Sequence, residues 1–207
     1  MQFETILPQE IEKRSFEIIA EELGDVELDP LQEPVIKRVI HTTADFDYLN
    51  TLCFSENAVP KLQGALRDGA CIVTDTQMAR AGISKKALKK YGGEVYCFMG
   101  DEDVAQAASA NGTTRAVASM DKAAGFSRDV IFAVGNAPTA LVRLYELMEQ
   151  GKINPRGIIG VPVGFVNVVQ AKELILQCDV PYIVARGRKG GSNVAAAVCN
   201  ALLYAME

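Results

Sequence analysis

Apolar positions in this chain follow a helical period for about the first forty residues and then break into short runs separated by helical segments. Ile11, Ser15, Ile18, Ile19 and Glu22 fall at helical spacing between Pro8 and Leu23, and Gly24 is a plausible stop. A second helix is expected from about Leu31 to His41, with Pro34 in its first turn and Val35, Ile36, Val39 and Ile40 as its apolar stripe. Beyond it, strands are expected at residues 48–54, 70–74, 94–98, 129–134, 157–161 and 182–185. Helices are expected between and after them, at 57–68, 84–91, 101–123, 137–150, 168–178 and 192–206. Several strand runs are apolar at every position, which is the pattern of a parallel sheet covered on both faces. The expectation is an α/β fold: a single doubly wound, mostly parallel sheet flanked by helices, with an N-terminal helical pair, forming one domain over residues 1–207.

Ligands of such sheets bind outside the carboxyl ends of the strands. The segments to search are therefore Thr74-Asp75-Thr76, Gly100-Asp101, Gly135-Asn136-Ala137-Pro138, Pro162-Val163-Gly164 and the run from Arg186 to Ser192. Asn136 can cap the helix after its strand, and Pro138 suits that helix's first turn.

Composition narrows the function classes. With 49% hydrophobic and 23% charged residues the chain can bury a substantial core, and no apolar run approaches the roughly 20 residues of a membrane-spanning helix. No signal-peptide pattern opens the chain, so the cytoplasm is the expected location. The five cysteines form no CxxC pair or Cys/His cluster and read as small apolar residues. A net charge of −5 without an extended basic stripe argues against nucleic acid as a partner. Positive charge must then be concentrated locally if the ligand is an anion.

The run Arg186-Gly-Arg-Lys-Gly-Gly-Ser192 does this. It follows a strand and opens a helix, glycines allow close approach, and Arg186, Arg188 and Lys189 add charge-assisted donors. It is not a phosphate-binding GxxxxGK[ST] loop, and a solvated basic turn would read the same way. His41 is the only histidine, and its ordinary titration range lies near neutrality. It sits at the end of the second helix, where the helix dipole favours a cation by about 0.3–1 kcal/mol. Arg38 is three residues earlier on the same face and could hold an anionic ligand beside the imidazole. A surface histidine capping its helix is the bland alternative. Asp45, Asp47 and Asp75 could orient His41 or a ligand, or simply form turns. No Ser/His/Asp order or metal motif is defensible, which leaves acid–base chemistry without a metal.

Several segments, taken in order, resemble the precorrin-8X methylmutase family. They are Glu12-Lys-Arg-Ser-Phe-Glu-Ile-Ile19, Val39-Ile-His-Thr-Thr43, Thr74-Asp-Thr-Gln-Met-Ala-Arg-Ala-Gly82 and Gly112-Thr-Thr-Arg115, followed by Val134-Gly-Asn-Ala-Pro-Thr-Ala-Leu141, Pro162-Val-Gly-Phe165 and the Arg186–Ser192 run. The resemblance implies an isomerase of cobalamin biosynthesis that moves a methyl group from C-11 to C-12 of precorrin-8X or cobalt-precorrin-8, giving hydrogenobyrinate or cobyrinate. It implies no added cofactor and a homodimer or larger assembly. It assigns His41 as proton donor and acceptor, and places Ser15 and Arg38 near the substrate. Arg14, Thr43, Thr74, Arg115, Arg186, Arg188 and Lys189 are further substrate-binding candidates from motif position and side-chain chemistry. After Phe165 the family usually reads Val-Gly-Ala-Ala-Glu-Ser-Lys, whereas this chain reads Val166-Asn-Val-Val-Gln-Ala-Lys172, so no contact is assigned there. A non-catalytic tetrapyrrole carrier, or an enzyme of another phosphate- or carboxylate-bearing metabolite, are the competing readings.

Overall fold

The computed structural model describes residue 4 and residues 6–206. A short 3-10 turn at Pro8–Glu10 leads into the helical pair α1 (Ile11–Leu23) and α2 (Glu33–Thr43). There follow α3 (Tyr48–Thr51), β1 (Leu52–Phe54), α4 (Ala58–Arg67), β2 (Cys71–Thr74), α5 (Gln77–Gly82), α6 (Lys85–Lys89) and β3 (Val95–Tyr96). The remainder is α7 (Glu102–Ala110), α8 (Arg115–Ala124), β4 (Val130–Val134), α9 (Pro138–Glu149), β5 (Gly157–Gly160), α10 (Val168–Ile175), β6 (Tyr182–Ala185) and α11 (Ser192–Tyr204).

The strands form one sheet in the order β1-β6-β5-β4-β2-β3, with every pairing parallel except β1 against β6. Read over the parallel strands alone, this is the doubly wound order in which the chain reverses direction between β2 and β4. Neighbouring residues of each central strand enter opposite layers. Ile72, Ile131, Ile159 and Ile183 join the core beneath α2, α4 and α11, whereas Val73, Phe132, Ile158 and Val184 join the core beneath α8, α9 and α10. That two-sided burial is why the strands are apolar at every position. Helix α11 is apolar almost all round and sits deepest, against α2 and α5. Its one central polar residue, Asn200, accepts from Ser84 N at 2.8 Å and donates to the Gly82 carbonyl at 2.9 Å.

Two expectations need correction, and one helix was not expected at all. Residues 48–54 are not one strand: 48–51 form a helical turn, closed by Thr51 Oγ1 donating to the Asp47 carbonyl at 3.0 Å, and only 52–54 pair with the sheet. The helix expected at 101–123 is two helices, because Gly112 takes a φ of +61° and Thr114 Oγ1 caps the second by accepting from Val117 N. Helix α5 had no periodic apolar stripe to betray it; Thr76 Oγ1 starts it by accepting from Ala79 N at 3.1 Å.

Candidate active site

His41 lies in the last turn of α2, which ends at Ala44 in a left-handed conformation (φ 52°, ψ 32°). Its imidazole is exposed and stacks on Phe16 of α1, with centroids 5.1 Å apart and planes 17° from parallel. The Arg38 guanidinium lies 4.7 Å from the Phe16 centroid and 5.3 Å from that of Tyr204 on α11, and forms an ion pair with Glu12. One aromatic ring thus touches both the candidate acid and the candidate anion binder, as their i, i+3 spacing on α2 allows. Beside them Phe16, Pro34, Lys37, Arg38 and Tyr204 line a cavity of about 320 Å³.

The other candidates on these helices are placed differently. Ser15 Oγ donates to the Ile11 carbonyl at 2.9 Å. Thr43 Oγ1 donates to the Val39 carbonyl at 2.8 Å and accepts from Asp45 N at 3.3 Å, so it shapes the exit of α2. Arg14 pairs with Glu4, Glu17 and Glu21, away from the Phe16 stack.

At the carboxyl end of the sheet, the point of chain reversal is filled by the protein itself. Asp75 is buried, and its Oδ1 accepts from Gly135 N at 2.8 Å while Oδ2 accepts from Asn136 N at 2.8 Å and Ala137 N at 2.6 Å. Burial raises this carboxyl from the ordinary aspartate range, and the three backbone donors oppose the rise. Asn136 could have capped α9, but the helix's N-cap position, Ala137, makes no side-chain cap; the Asp75 carboxylate instead holds the amides of the turn that leads into the helix, from Gly135 to Ala137. Gly135 is required by proximity, since a Cβ there would lie 2.7 Å from Ser192 Cα. Thr74 is fully buried, and its one hydroxyl hydrogen is shared between the carbonyls of Thr76 at 3.0 Å and Tyr96 at 3.2 Å. It supports the turn after β2 and presents no free group at the surface.

The basic run after β6 is more constrained than its composition suggests. Arg186 makes a two-toothed pair with Glu173 of α10, at 2.8 and 2.9 Å, which holds the Glu173 carboxyl below its usual range. Lys189 binds Asp45 at 2.7 Å and Asp47 at 2.9 Å, lowering the pKa of Asp45 and tying this loop to the exit of α2, just beyond His41. Asp45 and Asp47 therefore address Lys189 rather than the imidazole. Arg188 has no carboxylate partner among the described residues and lies 5.6 Å from the centroid of the exposed Phe165. Arg115 is exposed at the first position of α8, whose cap Thr114 lies 3.3 Å from Thr139 at the start of α9. Its location is thus the same end of the sheet.

Two groups of consequence escaped the sequence reading. Phe16 and Tyr204 carried no assignment, and nothing in spacing reveals that rings from two distant helices flank one arginine. Lys172 lies inside α10, is fully buried, and donates to the carbonyls of Gly187 and Lys189 at 2.8 Å each; burial lowers its pKa to about 8. A lysine in an apolar helical stretch carried the only available signal. Among the described residues no group of three or more His, Cys, Asp or Glu side chains could hold a metal ion, and no helix is long and apolar enough to cross a membrane.

Comparison with known proteins agrees with this architecture. The family model described as precorrin-8X methylmutase matches residues 10–205. The cobalt-precorrin-8 methylmutase of Salmonella typhimurium is 48% identical over 203 residues, covering 95% of each chain. The protein of that name from Priestia megaterium is 43% identical, covering 96% of this chain and 88% of its own. The precorrin-8X methylmutase of Pseudomonas aeruginosa is 35% identical, with 96% of each covered. Among solved structures, the precorrin-8X methylmutase of Thermus thermophilus superposes with a TM-score of 0.85 at 39% identity, covering 94% of this chain and 96% of the other.

Proposed function

This chain belongs to the precorrin-8X methylmutase family, and on that premise we propose that it isomerises a precorrin-8 macrocycle with His41 as the acid. The reaction transfers a methyl group from C-11 to C-12, so one carbon–carbon bond breaks and one forms with no net gain or loss of atoms. His41 lends a proton to the conjugated ring, which becomes electron-poor and releases the methyl to its neighbour more readily; the same side chain recovers the proton afterwards. Acid catalysis of this kind contributes about 10²–10⁴-fold, and holding a rigid substrate adds to it.

The observation that carries this reading is the Phe16 ring shared by His41 and Arg38. It fixes the imidazole face-on beside a guanidinium, so a carboxylate on Arg38 would bring the macrocycle to the acid. Ser15 lies next to Phe16, and Thr43 shapes the helix exit below His41. Arg115, Arg186, Arg188 and Lys189 surround the carboxyl end of the sheet, where the substrate's acetate and propionate groups are received; Arg188 and Arg115 are the ones without a carboxylate partner among the described residues. Arg14 and Thr74 act at a distance, through the charge of α1 and the turn after β2. Relatives at 48% and 43% identity bear the cobalt-precorrin-8 name and one at 35% the metal-free name, which makes the cobalt-loaded macrocycle the first substrate to test.

The exposed apolar pair Phe165 and Val166, 81% and 77% accessible, supports assembly as a homodimer. Five unpaired cysteines suit a reducing, cytoplasmic setting.

The decisive experiment is His41→Ala incubated with precorrin-8X and with cobalt-precorrin-8 while the absorption spectrum is recorded. The variant is expected to bind the tetrapyrrole and leave it unconverted, with at least a hundredfold loss of rate. Wild-type turnover by the variant would remove His41 from the mechanism. Unchanged substrate with stoichiometric wild-type protein would instead favour a carrier.

A further inference from the structure

The loop from Arg186 to Gly190 has all its inner carbonyls taken and its amides free. Lys172 Nζ holds the carbonyls of Gly187 and Lys189 at 2.8 Å each, and Gly164 N donates to the carbonyl between them, that of Arg188, at 3.2 Å. At either end the chain is pinned by Arg186 N donating to the Thr51 carbonyl at 2.7 Å and Gly191 N to the Val161 carbonyl at 2.8 Å. No acceptor among the described residues takes the N–H groups of Gly187, Arg188, Lys189 or Gly190. The loop is also committed sterically. Gly190 has a φ of +157°, and a Cβ there would lie 2.1 Å from the Val161 oxygen.

The fully buried Lys172 ammonium has no carboxylate partner among the described residues, so its hydrogen bonds to the loop carbonyls must offset the cost of its desolvation. Here the polarity of a whole turn is sorted: two carbonyl oxygens lie on a buried cation and the one between them on Gly164 N, while four successive amides have no acceptor, and the Arg188 guanidinium no carboxylate partner, among the described residues. Runs of free backbone N–H groups bind anions. We propose that Lys172 is a positioning residue that holds the 186–190 loop as a carboxylate receptor, presenting its amides and Arg188 to a side-chain carboxylate of the substrate. This deepens the function proposed above and rests on it.

The test uses the full-length chain with Lys172→Met, which keeps the volume but removes every donor, and with Lys172→Arg, which keeps charge and donors. Hydrogenobyrinic acid and its fully esterified form serve as probes, alongside turnover of the substrate. Lys172→Met is expected to raise KM and the Kd for the free acid about tenfold or more, with kcat changed less than threefold. Affinity for the ester should move less than twofold, a discrimination that general loosening of the fold would not produce. Lys172→Arg should recover part of the loss. Equal losses for acid and ester, or a fall in kcat alone, would overturn the proposal. Should both variants fail to fold, hydrogen exchange of the wild type decides: saturating acid must slow the amides of residues 187–190, and no protection there refutes the receptor. If the wild type neither binds nor converts the tetrapyrrole, the underlying function falls first; if it does both and Lys172→Met matches it, only the role of Lys172 falls.

Discussion

Replacing Lys172 with methionine should change the pH dependence of stability in a direction opposite to that of most lysines. The buried ammonium has its pKa lowered from 10.5 to about 8, because burial disfavours the charge and no carboxylate compensates. A shift of that size corresponds to about 3 kcal/mol held against the folded state wherever the lysine must be charged. The sign follows from proton counting. Between about pH 8 and 10.5 the unfolded chain keeps this proton and the folded chain releases it, so the contribution of Lys172 to stability rises with pH across that window. Below it the full cost is present. Integration from about pH 7 to pH 9.5 gives a gain of about 2 kcal/mol. A neutral amine still has two hydrogens for the Gly187 and Lys189 carbonyls, so the loop need not open as the charge is lost. Urea unfolding of wild type and Lys172→Met at several pH values isolates this effect. Other titrations, such as that of the buried Cys199 thiol, whose pKa is pushed up to about 12, cancel in the difference. The stability of wild type relative to Lys172→Met should rise by about 2 kcal/mol over that interval. A difference that is flat, or that shrinks as pH rises, would refute the reasoning.

Asp75→Asn should destabilise the protein by about 2–4 kcal/mol in chemical denaturation, because an amide NH₂ would face backbone donors that now meet a carboxylate oxygen; a loss under about 0.5 kcal/mol would deny Asp75 its role in holding the 135–137 turn. Gly190→Ala should lower the melting temperature by many degrees or abolish soluble expression, since its Cβ would meet the Val161 oxygen at 2.1 Å; a melting temperature equal to wild type would contradict the loop geometry. Timed alkylation at about pH 8, read by peptide mass spectrometry, should label Cys53 and Cys178 before Cys71, Cys97 and Cys199, as the first two are half-buried and the others buried. Early labelling of Cys199 in folded protein would show that α11 opens far more readily than its packing implies.

The layered α/β fold was legible because strands covered on both faces are apolar at every position, a property local to each run and independent of its neighbours. His41 and Arg38 were legible for a similar reason: an i, i+3 pair on a helix is adjacent whatever the tertiary structure. The succession of motifs from Glu12 to Ser192 carried the family. Other features depended on partners far away in the chain. The 101–123 segment reads as one helix until the positive φ of Gly112 divides it, and β1 is an antiparallel edge strand because Leu52 finds Ala185, not because of its composition. Asp75 could face a ligand or form a turn as far as sequence goes, and the return of the chain after β4 decides for the turn by setting three amides on its carboxylate. The three cations after β6 looked equivalent. Glu173 and the pair Asp45 and Asp47 neutralise two of them and leave Arg188, while Lys172, buried in a helix to which no contact had been assigned, sorts the loop's carbonyls from its amides. Residue type determined which charges and protons were available to this protein. Only the packing of distant segments decided which of them remained unspent, because electrostatic partners and desolvation are properties of neighbours in space rather than in sequence.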